Sequence, residues 1–292
     1  MAATGPATEV AKAKVNLALH VVGRRADGYH LLDSLVVFPS IADHLTVRTG
    51  TADGVRLSVD GRFAADVPGG AENLVCQAAQ ALAGALSPDR PVAIEATLTK
   101  RLPVASGIGG GSADAAAMLR ALCRLWGRRP APEALHAIAA ALGADVPMCL
   151  DQTQARARGI GDALTPLPDL PAMDILLVNP GIPVATPSVF RALAGADNPP
   201  LPPLPDRFAD ADALVAWLET TRNDLEAAAT TVAPAVAEVV GALRETAGCR
   251  FARMSGSGAT CFGLYADAAG ARAAADEIAR TRPGWWTAAG TM

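Results

Sequence analysis

The sequence contains few aromatic residues and few cysteines, so it does not indicate a small scaffold held together by disulfide bonds. Aromatic side chains account for 4% of the 292 residues. An odd number of cysteines argues against a disulfide framework, and no two of them have the spacing of metal ligands. These cysteines are Cys76, Cys123, Cys149, Cys249 and Cys261. We expect buried free thiols in a reducing compartment, and therefore a cytoplasmic protein.

The sequence also lacks the features of proteins that bind nucleic acids or membranes. The formal net charge is −4, and Arg24-Arg25 and Arg128-Arg129 are the most conspicuous basic pairs. A nucleic-acid interface would instead have a basic face with aromatic side chains among the charges. No apolar run is long enough to cross a membrane, and residues 1–11 do not resemble a signal peptide. We expect neither nucleic acid nor a membrane as a partner.

What the sequence does contain is enough apolar residues for a large core, with 51% hydrophobic and 18% charged residues. The length suggests two domains, which we place at residues 1–166 and 167–292. Alternating apolar residues over 13–21 predict a half-buried strand with Lys14 and Asn16 on its other face. Five prolines within residues 197–206 predict a stiff surface segment.

Periodicity predicts the remaining elements, in an order that fits an α+β protein. Strands are predicted over residues 31–38, 45–48, 55–59, 92–98, 174–179, 250–254 and 261–265. Helices are predicted over residues 72–85, 114–126, 133–142, 211–220, 224–229, 235–246 and 268–280.

The strongest functional signal is the turn Gly107-Ile108-Gly109-Gly110-Gly111-Ser112 between a predicted strand and a predicted helix. Glycine allows the backbone to approach a ligand closely, and the unpaired amides at a helix start bind anions. Ser112 could cap the helix, or its hydroxyl could contact a phosphate or a metal ion. A tight turn without any ligand is the alternative, but such a turn rarely needs four glycines.

Three known phosphate-binding loops do not match this turn. A Walker loop requires a lysine before Ser112, where Gly111 stands. The dinucleotide fingerprint requires a third glycine at the position of Ser112. A protein kinase would need His-Arg-Asp and Asp-Phe-Gly segments, and the sequence has neither.

The run from Lys100 to Ala116 resembles the Pro-x-x-x-Gly-Leu-Gly-Ser-Ser motif of the galactokinase, homoserine, mevalonate and phosphomevalonate kinases, the GHMP kinases. Three positions depart from the family pattern. A proline is usual at the position of Lys12, some members have an aromatic residue at the position of Val36, and threonine is common at the position of Ser257. Further segments resemble family motifs in the same order along the chain: residues 13–17, 24–30, 72–74, 142–147, 179–181 with 186–190, 223–226 and 254–259.

The resemblance implies an α+β two-domain GHMP kinase fold. It consists of an N-terminal ATP-binding α/β domain similar to domain 2 of ribosomal protein S5 and a C-terminal ferredoxin-like α+β domain. The implied reaction uses ATP and Mg²⁺ to phosphorylate the 2-hydroxyl of 4-diphosphocytidyl-2-C-methyl-D-erythritol in non-mevalonate isoprenoid synthesis. A homoserine- or mevalonate-type kinase and a non-catalytic nucleotide-binding regulator are the alternatives. We expect a monomer or a homodimer.

The resemblance also implies roles for individual residues. Asp145 would accept or orient the hydroxyl proton, and Lys14 would pair with it and stabilise the moving phosphoryl group; a helix cap and a solvated lysine are the alternatives. The implied ATP contacts are Pro103, Val104, Ala105, Ser106, Gly107, Ile108, Gly109, Gly110, Gly111, Ser112 and Ala113, with Asn73 and Lys100, and Ser112 is also the implied Mg²⁺ contact.

The implied substrate site is aromatic. Tyr29 and Phe190 would sandwich the cytosine, and His30 would form a hydrogen bond to its polar edge. Alternatively, Tyr29 is a core aromatic, Phe190 is a helix-core residue and His30 is a turn histidine. Asn16 and Thr186 would be further substrate contacts. A second glycine turn around Gly256 and Gly258 would close over the first one, with a plain tight turn as the alternative.

Overall fold

A computed structural model of the protein describes residues 5–86 and 92–292. The strands are β1 (Ala7–Lys12), β2 (Val15–Arg24), β3 (His30–Val37), β4 (Ala42–Thr49), β5 (Gly54–Asp60), β6 (Ala93–Thr99), β7 (Ala155–Gly159), β8 (Ala163–Pro166), β9 (Asp174–Asn179), β10 (Phe251–Met254), β11 (Cys261–Tyr265) and β12 (Trp286–Thr291). The helices are α1 (Leu74–Leu86), α2 (Gly110–Trp126), α3 (Pro132–Leu142), α4 (Val146–Asp151), α5 (Thr186–Ala192), α6 (Ala211–Glu219), α7 (Glu226–Val232), α8 (Ala235–Glu245) and α9 (Ala268–Thr281).

The chain forms two compact units, and both are assembled from separate stretches of sequence. The first unit comprises Met1–Ala13, Ala42–Val104 and Gly109–Gln152. The second comprises Lys14–Ile41, Ala105–Ile108 and Thr153–Met292. The single boundary between residues 166 and 167 stays a prediction, and the two units do not follow it.

The first unit is a sheet with helices packed against it. The strand order is β1-β4-β6-β5, in which β5 and β6 are parallel and the other neighbours are antiparallel. Helix α2 packs on β1 and β4 and on the neighbouring helices α1 and α4. Its inner surface is built largely of alanine and leucine, including the buried Ala116 and Leu119, so helix and sheet approach closely.

The second unit contains two antiparallel sheets. One has the order β2-β3-β7-β8, and the other has the order β10-β11-β9-β12. In the latter, β11 lies between β9 and β10, which is the split arrangement of a ferredoxin-like β-α-β-β-α-β unit. The buried cluster of this unit joins Leu176 and Val178 of β9 to Val239 and Leu243 of α8 and Ile278 of α9.

The predicted α+β class is confirmed, but several elements differ from the prediction. Strand β2 is buried on both faces from Val15 to Val21, so the prediction of a half-buried strand was wrong. Helix α2 begins at Gly110, four residues before the predicted start at Asp114. Strands β1, β7, β8 and β12 and the short helices α4 and α5 were not predicted as elements.

All five cysteines are free thiols, as predicted, with three of them buried and two partly exposed. In the part of the chain that the structure describes, no helix combines the length and the apolar character that crossing a bilayer would require.

Candidate active site

The glycine turn leads into helix α2 through backbone conformations that side chains rarely adopt. Gly107 and Gly109 have φ angles of 77° and 63°, and Ala105 has a φ of 49°. Gly109 is the residue before the helix, and the first bond inside α2 runs from the Ala113 amide to the Gly109 carbonyl at 2.9 Å. The amides of residues 110–112 therefore have no partner within the helix, which makes this end suited to a phosphate group.

Ser112 lies in the first turn of α2 rather than in front of it. The possibility that Ser112 caps the helix is wrong, because a capping side chain precedes the first helical residue, and that residue is Gly110. The side chain is half-buried. Its hydroxyl is suited to the other predicted use, contact with a phosphate oxygen or a cation.

The first glycine turn is in close contact with the second one, which joins β10 to β11. A methyl group at Gly107 would lie 2.6 Å from the Ser255 carbonyl oxygen and 2.8 Å from the Gly258 nitrogen. The Ser255 hydroxyl donates to the Gly107 carbonyl at 3.2 Å, and the Thr260 amide donates to the Ser106 carbonyl at 3.1 Å. Glycine at position 107 is thus required by its positive φ and by this contact.

We expect Gly107→Ala to destabilise the protein by roughly 1–3 kcal/mol and to raise the KM for ATP, since the methyl group would push two backbone segments apart. Gly195→Ala is the matched control, because a methyl group there has no described atom within 4 Å. Thermal unfolding and the ATP dependence of ADP release measure the two effects. A Gly107→Ala protein that matches the control in both assays would refute the tight contact between the turns.

Asn223 holds the second glycine turn, and sequence reasoning did not assign it a site role. Its side-chain amide donates to the carbonyls of Met254 and Gly256, each at 2.9 Å. Its side-chain oxygen accepts the Leu225 amide at 3.0 Å. In the sequence, Asn223 stands out only as part of a family motif, and these backbone contacts explain why an asparagine is needed there.

Lys14 and Asn16 are both buried, and backbone bonds link them to the two glycine turns. The Lys14 amide donates to the Ile108 carbonyl at 2.8 Å, and the Asn16 amide donates to the Ser255 hydroxyl at 3.0 Å. The side-chain amide of Asn16 donates to Ser34 at 2.7 Å. Among the described residues, the Asn16 side-chain oxygen has no hydrogen-bond partner although it is buried. A buried acceptor of this kind is suited to a donor group of a ligand.

Four of the predicted substrate residues lie on β3 or α5 or next to them: Tyr29, His30, Thr186 and Phe190. The rings of His30 and Phe190 are stacked, with their centroids 4.6 Å apart and an interplanar angle of 21°. Tyr29 is 61% exposed, and the stacked rings in the described residues are those of His30 and Phe190. Burial, with a smaller contribution from Arg24, lowers the pKa of His30. The imidazole is therefore neutral at pH 7, and one ring nitrogen can accept a hydrogen bond.

Thr186 is the first residue of α5, four residues before Phe190. Its hydroxyl lies 2.7 Å from the hydroxyl of Ser257, which belongs to the second glycine turn. The hydroxyl of Ser257, at a position where threonine is common in the family pattern, thus connects the start of α5 to that turn.

Asp145 lies in a turn and directly precedes helix α4. It occupies the capping position, yet within the described residues its carboxylate makes no capping hydrogen bond. The alternative that Asp145 serves as a helix cap is therefore not supported.

Asn73 is buried, and its side chain is used within the first unit. Its amide donates to the Pro68 carbonyl at 2.8 Å, and its oxygen accepts the Val75 amide at 2.8 Å. The second bond caps the start of α1. The contact of Asn73 with a nucleotide stays a prediction.

Lys100 belongs to a buried cluster of three charges. Its ammonium lies 2.6 Å from a carboxylate oxygen of Asp43 and 2.6 Å from one of Asp114 on α2. Burial raises the pKa of Asp114 to about 7, while Lys100 opposes that rise. A methyl group at Gly110 would lie 3.1 Å from the ammonium. Lys100 thus anchors the first turn of α2, and its contact with ATP stays a prediction.

The family models agree with this fold and glycine turn. The family described as "GHMP kinases N terminal domain" matches residues 73–152, and "GHMP kinases C terminal" matches residues 208–283. The chain belongs to the GHMP kinases, a family of enzymes, and the resemblance seen in its motifs is confirmed.

Individual relatives narrow the similarity to one member of the family. The chain is 55% identical to the 4-diphosphocytidyl-2-C-methyl-D-erythritol kinase of Paracoccus denitrificans (strain Pd 1222), over 96% of this chain and 95% of the relative. A crystal structure of 4-(cytidine 5'-diphospho)-2C-methyl-D-erythritol kinase superposes with a TM-score of 0.80 at 37% identity, covering 97% of this chain and 98% of the other. Homoserine kinase from Cytophaga hutchinsonii shares the fold, with a TM-score of 0.69 at 19% identity over 100% of this chain and 96% of that one.

Proposed function

We infer that the chain is an ATP-dependent kinase that phosphorylates the 2-hydroxyl of 4-diphosphocytidyl-2-C-methyl-D-erythritol, giving the 2-phosphate and ADP in the non-mevalonate route to isoprenoid precursors. The single observation that carries the inference is the 55% identity to a kinase of that name over nearly the whole of both chains. The glycine turn before α2 supports a phosphate-containing cosubstrate.

In the proposed reaction, the amides of residues 110–112 bind phosphate oxygens of ATP. Asp145 accepts or orients the proton of the attacking hydroxyl. Lys14 stabilises negative charge on the phosphoryl group during transfer. Phosphoryl transfer depends mainly on positioning and charge neutralisation, and these groups supply both.

The residues fit a magnesium ion that arrives with ATP rather than one held by the protein alone. No group of three His, Cys, Asp or Glu side chains in residues 5–86 and 92–292 could hold a metal ion. Mg²⁺ in kinases is commonly bound through substrate phosphates and one or two protein oxygens. The half-buried Ser112 hydroxyl would be one such oxygen, and the ion would neutralise phosphate charge.

The proposed recognition of cytosine uses aromatic groups and a neutral histidine. Phe190 would stack on one face of the base and Tyr29 on the other, while His30 would bond the polar edge. Asn16 supports this proposal through its buried, unpaired oxygen, which suits a hydroxyl or amino donor of the substrate. Thr186 would be a further contact. We also propose a cytoplasmic location and a monomeric or homodimeric state.

A direct assay separates this function from the alternatives. The purified protein with ATP and Mg²⁺ should release ADP with 4-diphosphocytidyl-2-C-methyl-D-erythritol and not with mevalonate or homoserine, because the latter two lack a base for the aromatic residues. ADP release with mevalonate alone would contradict the proposal. Tight ATP binding without turnover of any substrate would instead favour a nucleotide-binding regulator.

A further inference from the structure

The proline-rich segment at residues 197–206 follows the surface of the second unit but is tied to it along its length. Asp197 forms an antiparallel bridge with Val22 near the end of β2. The backbone and side-chain amides of Asn198 both donate to the Val21 carbonyl, each at 3.1 Å. These bonds fix the beginning of the segment on β2.

Side chains from other elements then bind the carbonyl groups of this segment. Proline has no amide proton, so a proline-rich backbone can be held mainly through its carbonyls. His20 and Arg222 lie 2.9 and 3.2 Å from the Pro199 carbonyl, and Trp217 donates to the Pro203 carbonyl at 3.1 Å. The other ring nitrogen of His20 accepts the Arg222 amide, which assigns the proton to the nitrogen facing Pro199.

Leu201, between the prolines, is held by a buried ion pair. Arg156 forms two hydrogen bonds to Asp33, at 2.7 and 2.5 Å. Asp33 accepts the Leu201 amide and Arg156 donates to the Leu201 carbonyl, both at 3.1 Å. A buried ion pair contributes little net stability compared with apolar residues of similar size. Here the ion pair fixes Leu201, because it bonds both the backbone amide and the backbone carbonyl of that residue.

The held segment connects the two rings of the proposed base site. It follows α5, which carries Phe190, and its Leu201 is bound to Asp33, three residues after His30 on β3. The segment therefore links the chain that follows Phe190 to the strand that carries His30. Pro199 and Pro200 stiffen the last part of this connection, directly before Leu201.

We propose that residues 197–203 form a strap that sets the spacing of Phe190 and His30 for a cytosine-type base, with Asp33 and Arg156 as its positioning residues. This proposal rests on the proposed function, in which the substrate carries cytidine diphosphate. The strap acts by preorganising the base site, so its loss weakens binding of the cytidine group and leaves the phosphate-transfer groups in place.

The first test lengthens the connection between α5 and the strap. Of the strap's described bonds, the one from the Asn198 side-chain amide to the Gly195 carbonyl, at 3.3 Å, lies next to the insertion. Two glycines are inserted between Gly195 and Ala196, where a methyl group at Gly195 would have no described atom within 4 Å. The insertion adds up to about 7 Å of chain between α5 and Asn198. We expect the Kd for cytidine diphosphate and the KM for the cytidyl substrate to rise about tenfold, with kcat and the Kd for ADP within about twofold of wild type.

The second test removes the anchor and keeps the core filled. The double variant Asp33→Leu with Arg156→Met replaces the ion pair by apolar groups, which avoids leaving one buried charge unpaired. Arg120→Met is the control, because Arg120 also bonds a carboxylate and backbone carbonyls but lies in the first unit. We expect the double variant to lose cytidine diphosphate affinity as the insertion does, and the control to retain it.

The outcomes separate the strap from the function on which it rests. A wild-type protein that does not bind cytidine diphosphate would overturn both the proposed function and the strap. A wild-type protein that binds it, together with an insertion variant of equal affinity, would overturn the strap alone. An equal loss of cytidine diphosphate and ADP affinity in both variants would indicate general damage and would also overturn the positioning role.

Discussion

Asp145→Asn is expected to lower kcat by about 10²–10⁴-fold, the usual contribution of a positioned general base. The substitution keeps the size of the side chain but removes its ability to accept the hydroxyl proton. Asp145 directly precedes α4, and in the described part of the chain it makes no capping bond that asparagine would have to replace. Single-turnover measurements with saturating ATP and cytidyl substrate report this loss directly, and the Kd for ATP should stay within about twofold.

Asp151→Asn is the matched control for this experiment. Asp151 is the last residue of the same helix, and it pairs with His136 on the surface, where ion pairs contribute little. We expect wild-type turnover from the control. If Asp145→Asn also turned over at the wild-type rate, Asp145 would have no part in the chemical step.

Lys14→Met should lower kcat by about 10²–10³-fold, because the transferred phosphoryl group would lose a charge that stabilises it. Lys14 is buried, and methionine has a similar length and can fill the same volume without charge. Its backbone amide still donates to Ile108, so the chain path beside the glycine turn is retained. The same single-turnover assay measures the effect, together with circular dichroism to verify folding.

Lys12→Met provides an identical chemical change two residues earlier, at the end of β1. Lys12 has no role in the proposed reaction, so the substitution removes no group that acts on the phosphoryl group. We expect the control to keep wild-type kcat. A Lys14→Met protein with the same kcat as the Lys12→Met control would exclude Lys14 from charge stabilisation.

Elements were predictable where one face of an element is apolar, and were missed where buried polar groups interrupt the pattern. In β1, Glu9 is buried and Val10 is 39% exposed, the reverse of a simple amphipathic strand. Glu9 is buried because it pairs with Arg120, a partner far away in the sequence. In β7, Arg156 is buried for the same reason, through Asp33. Periodicity cannot identify a buried charge without its partner.

The residues of the candidate site also divide into those that the sequence indicates and those that only the structure reveals. The glycine turn was predictable because glycine is required there by backbone conformation and close contact, which are local or short-range causes. Lys14 and Asp145 were singled out by family resemblance alone, since their spacing carries no chemical signature. Asn223 and Asp43 act through tertiary contacts with backbone and with Lys100, and only the structure shows those contacts.

The interleaving of the two compact units has a consequence for synthesis of the chain on the ribosome. Strands β2 and β3 emerge early, yet their sheet partner β7 begins only at Ala155. At a synthesis rate of about 5–20 residues per second, β7 is made on the order of ten seconds after β2 and β3. During this time the first unit can assemble from residues up to Gln152, while the edge of β3 stays open to other strands. The nascent chain is therefore most exposed to aggregation before its second half has been made.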